Sequence, residues 1–328
     1  MTFHSGFVSL VGRPNVGKST LVNCIVGAKV AIVSARPQTT RTQIRGVRTT
    51  PASQIVLLDT PGIHKPRTML GERTNERARS TLSEVDVVCM LVDATAKIGS
   101  GDRFVADLVQ AVATPKILVV SKTDIAAHRD IAEHLAAASE ALGEFDAYVP
   151  LSGLTGTGVD ALVGEIESRL PEGPMYYPGG EVTDQPETFL AAELLREKLL
   201  LVARDELPHS IAVIVEEIEP EGGEDGKPDS GGPNSGGPNS GGPNSGGPNS
   251  GGRADDDGIV RLRALILVER ESQKGIVIGK GGSVLKEAGT RAREELEALL
   301  GARVYLETKV KVERDWQRRA HSLDRLGF

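Results

Sequence analysis

Short apolar runs alternate with polar, glycine-rich segments through the first half of the chain. An uninterrupted apolar run of roughly four to eight residues is typical of a strand that is buried on both faces. Such runs occupy residues 7–11, 54–58, 85–92, 116–120 and 145–149. A helical pattern follows at residues 159–170. Together these elements predict an α/β fold with a mostly parallel sheet.

The second half of the chain has a different order of elements. Residues 171–186 are rich in Pro and Gly and predict a linker. The apolar patterns beyond it predict helices at 187–206 and 283–300 and strands at 211–215, 262–268 and 304–312. We therefore expect a first domain at 1–170 and a smaller α+β domain at 187–328.

A perfect repeat interrupts this second domain. From Ser230 to Asn249 the unit Ser-Gly-Gly-Pro-Asn occurs four times without a substitution. Because nothing in the unit can bury apolar area, we expect a disordered loop at about 220–258. A binding repeat is the functional alternative, and recent duplication or an engineered linker would equally explain the perfect repetition.

Composition and charge narrow the class of protein. A length of 328 residues fits two domains, and the two cysteines, Cys24 and Cys89, lie within apolar patterns, as expected in a reducing cytosol. The N-terminus lacks a signal pattern, and no apolar run approaches the roughly 18 residues of a membrane helix. We therefore expect a cytoplasmic protein.

The net charge of the chain is −7, yet residues 259–328 hold 15 Lys or Arg against 10 Asp or Glu. This basic segment is a candidate surface for binding nucleic-acid phosphates.

The first candidate site follows the first apolar run. Gly12 and Gly17 allow a turn whose N–H groups point at phosphate oxygens, Lys18 adds a charge, and Ser19 offers a hydroxyl to Mg²⁺. This spacing predicts a phosphate-binding P-loop at the start of a helix. The other members of the predicted loop are Arg13, Pro14, Asn15, Val16 and Thr20.

Polar groups also follow the later apolar runs. Asp59 ends the second run, where its carboxylate can order a magnesium shell, and the N–H of Gly62 can reach a γ-phosphate. The run at 85–92 shows no site. Because the strands end at the same edge of the sheet, these loops should meet the P-loop.

The loops after the last two apolar runs predict the choice of base. Asp124 can accept two hydrogen bonds from guanine, whereas adenine would leave it unpaired, at a cost of about 1–3 kcal/mol. Lys122 and Ser121 belong to the same loop. Ser152 and Gly153 can touch the guanine carbonyl through backbone N–H groups. The loops therefore favour GTP and GDP over adenine nucleotides, which argues against an ATP-dependent metabolic enzyme.

A second candidate site lies near the C-terminus. Ile278 leads into Gly279, Lys280, Gly281 and Gly282, followed by the amphipathic helix at 283–300. A Gly-x-x-Gly turn between two helices lets a nucleic-acid backbone approach main-chain N–H groups, and Lys280 attracts phosphate. A helix-capping turn is the alternative. Trp316 is expected either in the core or stacked on a base.

These motifs, taken in order, resemble a known family. Gly12–Thr20, Gln38–Arg41 and Asp59–Gly62 resemble the Ras-like GTPase domain, and more narrowly its bacterial Era branch. The stretches 265–270 and 277–282 resemble the type II KH domain of the same family. The resemblance spans nearly the whole chain. It implies GTP as substrate, Mg²⁺ as cofactor, and a P-loop GTPase domain followed by a KH domain that binds RNA.

The resemblance also assigns roles to single residues. Thr40 would be the switch I threonine that closes on Mg²⁺ and the γ-phosphate, with Thr39 as the fallback. The magnesium ligands would be Ser19, Thr40 and, through water, Asp59. The catalytic residues would be Lys18, Thr40 and Gly62.

Three positions depart from the Ras-like or Era pattern. Ser121 stands where Asn is usual, which removes an amide that helps tie this loop to the P-loop, and Gly153 stands where Ala is usual. Ile63 replaces the water-orienting Gln of Ras-like enzymes. Relatives with an apolar residue there are thought to use K⁺, held partly by an Asn at the position of Asn15. A plain turn role for Asn15 is equally consistent with the sequence.

The family resemblance implies a function for the whole chain. We expect a GTP-driven RNA-binding switch that assists assembly of the small (30S) ribosomal subunit by binding the 3′ end of 16S rRNA. The alternative is a regulatory GTPase that recruits a protein partner, with RNA binding secondary. We further expect a monomer, with peripheral contact at the inner face of the cell membrane left open.

Overall fold

A six-stranded sheet organises the first half of the chain. The computed structural model describes residues 2–34, 39–63, 68–203, 211–220 and 258–326. The strands of the first sheet are β1 (His4–Gly12), β2 (Ile44–Thr49), β3 (Ser53–Asp59), β4 (Val87–Asp93), β5 (Lys116–Ser121) and β6 (Ala147–Pro150). Their order is β2-β3-β1-β4-β5-β6, and all neighbours are parallel except β2 and β3.

Helices cover both faces of this sheet. They are α1 (Lys18–Val26), α2 (Met69–Leu82), α3 (Ser100–Gln110), α4 (His128–Leu142) and α5 (Val159–Glu167). One apolar core lies between the sheet and α1 and α5, and a second lies between the sheet and α2, α3 and α4. The predicted α/β fold is confirmed. Its central strands have both faces buried, so they appear in the sequence as unbroken apolar runs.

The crossovers of this sheet reverse direction at β1, which pairs with β3 on one side and β4 on the other. In open parallel sheets, ligands bind beyond the carboxyl ends of the strands at such a switch point. The loops after β1, β3 and β5 therefore meet at one edge.

A three-stranded sheet forms the second unit. Its strands are β7 (Ala212–Pro220), β8 (Ile259–Val268) and β9 (Arg303–Val312), with β7 antiparallel and β9 parallel to β8. Its helices are α6 (Glu187–Val202), α7 (Glu271–Ile278), α8 (Ser283–Leu300) and α9 (Ala320–Arg325). Helices α6, α7 and α8 pack on one face of the sheet around a common apolar core. The predicted smaller α+β fold is confirmed.

Several bounds differ from the predicted ones. Strand β7 continues to Pro220, beyond the predicted end at 215. The prediction stopped short because the second half of the strand contains polar residues that face solvent and break the apolar run. Helix α6 ends at Val202, and the rest of the predicted helix, 204–206, lies outside the described residues, as do the repeat and its flanks at 221–257. Trp316 is fully buried in a small core with Leu267 and Leu323, so the base-stacking alternative is wrong.

The Pro- and Gly-rich segment 171–186 forms no helix or strand, apart from one isolated bridge to β1. It runs along the edge strand β2, where the N–H of Val47 donates to the carbonyl of Val182 at 2.8 Å. Among the described residues, no helix is both long and apolar enough to cross a bilayer.

Candidate functional sites

A cavity of about 360 Å³ opens at the carboxyl edge of the first sheet. It is bounded by the turn after β1, the start of α1, the segment before β2 and the turn after β3. Predicted site residues make up much of its wall: Pro14, Asn15, Gly17, Lys18, Ser19, Thr20, Thr39, Thr40, Gly62 and Lys122. Residues from the turn after β1, the segment before β2, the turn after β3 and the loop after β5 therefore meet at one cavity.

The turn after β1 needs its particular residues. Gly17 has a φ of 97° and Asn15 a φ of 65°, conformations that Gly and Asn adopt most readily. A Cβ on Gly62 would lie 2.7 Å from the backbone nitrogen of Pro14, so only glycine lets the turn after β3 come this close. Helix α1 begins at Lys18 and aims its positive N-terminal end into the cavity.

Lys18 is the charged centre of the turn. Its side chain is buried, and its Nζ donates to the carbonyl of Arg13 at 3.2 Å and to that of Gly12 at 3.4 Å. Burial lowers the pKa of Lys18 to about 8, while the nearby Asp59 carboxylate pulls it the other way. A buried ammonium whose hydrogen bonds within the described residues go to two neutral carbonyls is well placed to bind an anion.

Three oxygen-bearing side chains meet beside this lysine. Ser19 Oγ donates to Asp59 Oδ2 at 2.7 Å, Thr40 Oγ1 donates to the same oxygen at 3.1 Å, and the two hydroxyls lie 2.9 Å apart. Burial raises the pKa of the Asp59 carboxyl, against the pull of Lys18. Asp59 Oδ1 is buried without a hydrogen-bond partner among the described residues. Hard oxygen donors with one buried carboxylate oxygen to spare fit Mg²⁺.

The loop after β5 is fastened to the P-loop by Ser121. Its Oγ lies 2.6 Å from the carbonyl of Val16 and 2.9 Å from that of Val92. The amide of the usual Asn is missing at this position, but the serine hydroxyl ties the loop to the P-loop in its place. In the next loop, a Cβ at Gly153 would lie 3.1 Å from the backbone of Leu21, so an alanine there would need a small shift.

The remaining predicted base-reading residues lie in the loops after β5 and β6. Lys122 lines it with a φ of 62°, and Asp124 is exposed two residues further on. The buried Ser152 accepts from the N–H groups of Leu154 and Thr155, each at 3.2 Å, which shapes this loop.

Sequence reasoning missed two carboxylates that support these loops. Arg13 does not point into the cavity: its Nε donates to the buried Asp102 of α3 at 2.7 Å, so Arg13 serves the site through its carbonyl. Asp93, the last residue of β4, accepts from Lys122 Nζ at 2.6 Å. Its position directly after a buried apolar run was the available signal, the same signal that marked Asp59.

Ile63 presents no polar atom to the cavity. Its side chain is buried in the core beneath α2, and its N–H donates to the carbonyl of Gly12 at 3.2 Å. A water-orienting amide is therefore absent at this position.

The Gly-x-x-Gly segment forms the turn between α7 and α8. A Cβ on Gly279 would lie 2.6 Å from Val284 Cγ2, so this glycine is required by packing. Gly281 (φ 61°) and Gly282 (φ 80°) have open space where a Cβ would stand, and Lys280 is exposed. Gly281 and Gly282 thus leave the backbone open to a large ligand, and Ile278, at the end of α7, is half-buried.

Comparison with known proteins matches a different family to each half of the chain. Residues 7–122 match a family described as a 50S ribosome-binding GTPase, and residues 252–317 match the KH domain family. GTPase Era of Mycobacterium avium is 46% identical, and that of Mycobacterium bovis BCG is 45% identical, each over 99% of both chains.

Solved structures are similar over the same length. One is Era in complex with MgGDPNP and nucleotides 1506–1542 of 16S ribosomal RNA, and another is a variant of Aquifex aeolicus Era bound to GDP·AlF₄⁻. Each is 37% identical with a TM-score of 0.85 and covers 99% of both chains. By its full-length identity, its G domain and its KH domain, the chain belongs to the Era family of GTP-hydrolysing enzymes.

Proposed function

We propose that the protein is a GTP-driven RNA-binding switch that assists assembly of the small ribosomal subunit by binding the 3′ end of 16S rRNA. The observation that carries this proposal is the grip of the second unit on the segment around Thr40. Arg196 of α6 donates to the carbonyl of Thr39, and Arg41 Nη1 donates to the carbonyl of Ile211 at 2.7 Å. A movement of the backbone at Thr40 would therefore alter hydrogen bonds to the RNA-binding unit.

The nucleotide site follows from the cavity. The turn at 12–20 would hold the phosphates, and Lys18, Thr40 and Gly62 would stabilise charge on the transferred phosphoryl group. Ser19 and Thr40, with Asp59 through water, would hold Mg²⁺, which supplies positive charge next to the phosphates. Lys122 and Asp124, with the loop of Ser152 and Gly153, would read guanine. The MgGDPNP complex of Era supports this assignment.

An ion network supports coupling between the two sites. Glu197 of α6 accepts from the N–H of Val33, a cavity residue, at 2.9 Å. Lys29 pairs with Glu197 and with Glu295 of α8, each at 2.6 Å, and Lys198 pairs with the same two carboxylates. Helix α8 starts at the Gly-x-x-Gly turn. The network therefore joins the nucleotide cavity to the helix that would carry RNA.

The choice of 16S rRNA rests on the KH unit and the Era complex with nucleotides 1506–1542. The family described as 50S-binding matches residues 7–122 only, which contain none of the Gly-x-x-Gly turn. This family match therefore says little about whether the large or the small ribosomal subunit is the partner.

We expect a single-stranded RNA that matches the 3′ end of 16S rRNA to raise the rate of GTP hydrolysis several-fold. Gly281→Asp should abolish that rise, because a carboxylate there repels phosphate while Asp tolerates a φ of 61°. Turnover is measured with matched and scrambled RNA.

Gly301→Asp is the control for that variant. Gly301 ends the same helix with a φ of 65° and open space around it. Intact hydrolysis that no RNA affects, or an equal response in both variants, would contradict the RNA-centred function and favour a switch that acts on a protein partner.

We also propose that K⁺, held partly by Asn15, supplies during hydrolysis the positive charge that an arginine finger supplies in other GTPases. Turnover in KCl should exceed turnover in NaCl by at least about tenfold, since comparable charge supplied by arginine fingers is worth more than that. Asn15→Gly retains the φ of 65° and removes only the amide, so it should abolish the preference for K⁺. Equal rates in the two salts would refute the role.

A further inference from the structure

Asp93 and Lys122 form an ion pair at the carboxyl ends of β4 and β5. Lys122 Nζ lies 2.6 Å from Asp93 Oδ2, and neither side chain is fully exposed. The two strands are also joined around this pair, because Asp93 and Ser121 are partners in the sheet and the N–H of Ala94 donates to the carbonyl of Ser121 at 3.0 Å. The pair thus sits on a rigid frame.

The carboxylate of Asp93 is itself fixed in orientation. Its Oδ1 accepts from the N–H of Thr95 at 2.9 Å and from Thr95 Oγ1 at 2.6 Å, which leaves Oδ2 for the lysine. Burial by itself would raise the pKa of Asp93, but the hydrogen bonds from Lys122 and Thr95 hold it below its usual range. A charged, oriented acceptor is therefore present at neutral pH.

Lys122 has a second carboxylate close by in the chain, that of Asp124. The backbone of Lys122 has a φ of 62°, which costs a residue with a Cβ roughly 1 kcal/mol, and its side chain lines the nucleotide cavity. Asp124 lies only two residues further along the chain, and among the described residues its carboxylate has no hydrogen bond or ion pair. An unrestrained Lys122 ammonium would have this second carboxylate within reach of its flexible stem.

We propose that Asp93 is a positioning residue for guanine recognition. It holds the Lys122 ammonium away from Asp124, so that the methylene stem of Lys122 forms a wall of the base pocket and both oxygens of Asp124 stay available for guanine N–H groups. This inference rests on the proposed nucleotide site and adds to it a specificity-determining residue.

The test compares Asp93→Asn with Lys122→Met and the double variant, using equilibrium binding of GDP and IDP. IDP lacks the exocyclic amine, so the ratio of GDP to IDP affinity reports how well Asp124 works. Asp93→Asn should lower GDP affinity about tenfold, the value of one charge-assisted hydrogen bond, and lower the ratio. With Lys122→Met present, Asp93→Asn should change neither quantity further.

Asp86→Asn is the control, since Asp86 lies just before the opposite end of β4 and accepts from the N–H of Phe7 at 2.7 Å. It should leave GDP affinity and the ratio unchanged. The role of Asp93 would be overturned if Asp93→Asn left the ratio of GDP to IDP affinity unaltered. It would also be overturned if Asp93→Asn lowered GDP affinity as much in the presence of Lys122→Met as it does alone. A wild-type protein that binds neither GDP nor IDP would instead overturn the proposed function.

Discussion

Replacing Lys18 by Met should lower the affinity for GTP and GDP by more than about a hundredfold, the equivalent of two lost charge-assisted hydrogen bonds. Lys18 is buried, and this burial lowers its pKa to about 8 against the pull of the Asp59 carboxylate. A phosphate group would give this buried ammonium charge-assisted hydrogen bonds in addition to those with the carbonyls of Gly12 and Arg13. Methionine fills a similar volume without the charge, so packing at the start of α1 is retained. The measurement is an equilibrium titration with a fluorescent guanine nucleotide.

The matched control for that variant is Lys116→Met. Lys116 starts β5 at the opposite edge of the same sheet and donates to the carbonyl of Val112 at 3.0 Å. It should bind nucleotide like the wild type. Loss of binding in Lys18→Met with an unchanged thermal midpoint would separate a binding defect from unfolding. A variant that binds within about threefold of the wild type would contradict the P-loop assignment, because Lys18 is the one lysine in the turn at 12–20.

The elements that sequence alone predicted are those whose burial leaves a simple pattern. Helix α8 runs from Ser283 to Leu300, as predicted, because Gly282 (φ 80°) and Gly301 (φ 65°) end it on both sides. Strand β2 was not predicted. It lies at the sheet edge, and its sequence Ile-Arg-Gly-Val-Arg-Thr mixes polar and apolar residues. An edge strand needs no continuous apolar run, so a search for such runs passes over it.

Only part of the site could be predicted from the sequence, because only some of its residues leave a local pattern. The proposed ligand contacts of the motif residues come from neighbouring positions in one turn, so their types and spacing are constrained locally. The supports come from distant parts of the chain: Asp93 reaches Lys122 from another strand, and Arg196 reaches Thr39 across 157 positions. Their chemistry requires only a charged group in the right place, which no local spacing encodes. The tie made by Ser121 was likewise visible only once Val16 was seen beside it.

Asp124→Asn should change the preferred base from guanine to xanthine. Guanine presents two N–H donors on the edge that a carboxylate would accept, whereas xanthine presents a carbonyl in place of the exocyclic amine. An Asn amide can donate to that carbonyl while its oxygen accepts from the ring N–H. GDP affinity should fall by about a hundredfold, since one good hydrogen bond becomes a donor facing a donor, and XDP affinity should rise above it.

The exposure of Asp124 makes this variant a clean probe, because the folded protein does not depend on its side chain. Asp160→Asn, in the first turn of α5 beyond the loop of Ser152, serves as the control and should keep the preference for GDP. Competition between GDP and XDP for one fluorescent nucleotide measures both affinities together. If Asp124→Asn still prefers GDP by the wild-type margin, guanine is read by the backbone of the 152–154 loop instead. In that case pairing of the Lys122 ammonium with Asp124 would not affect guanine binding, and the role proposed for Asp93 would also be wrong.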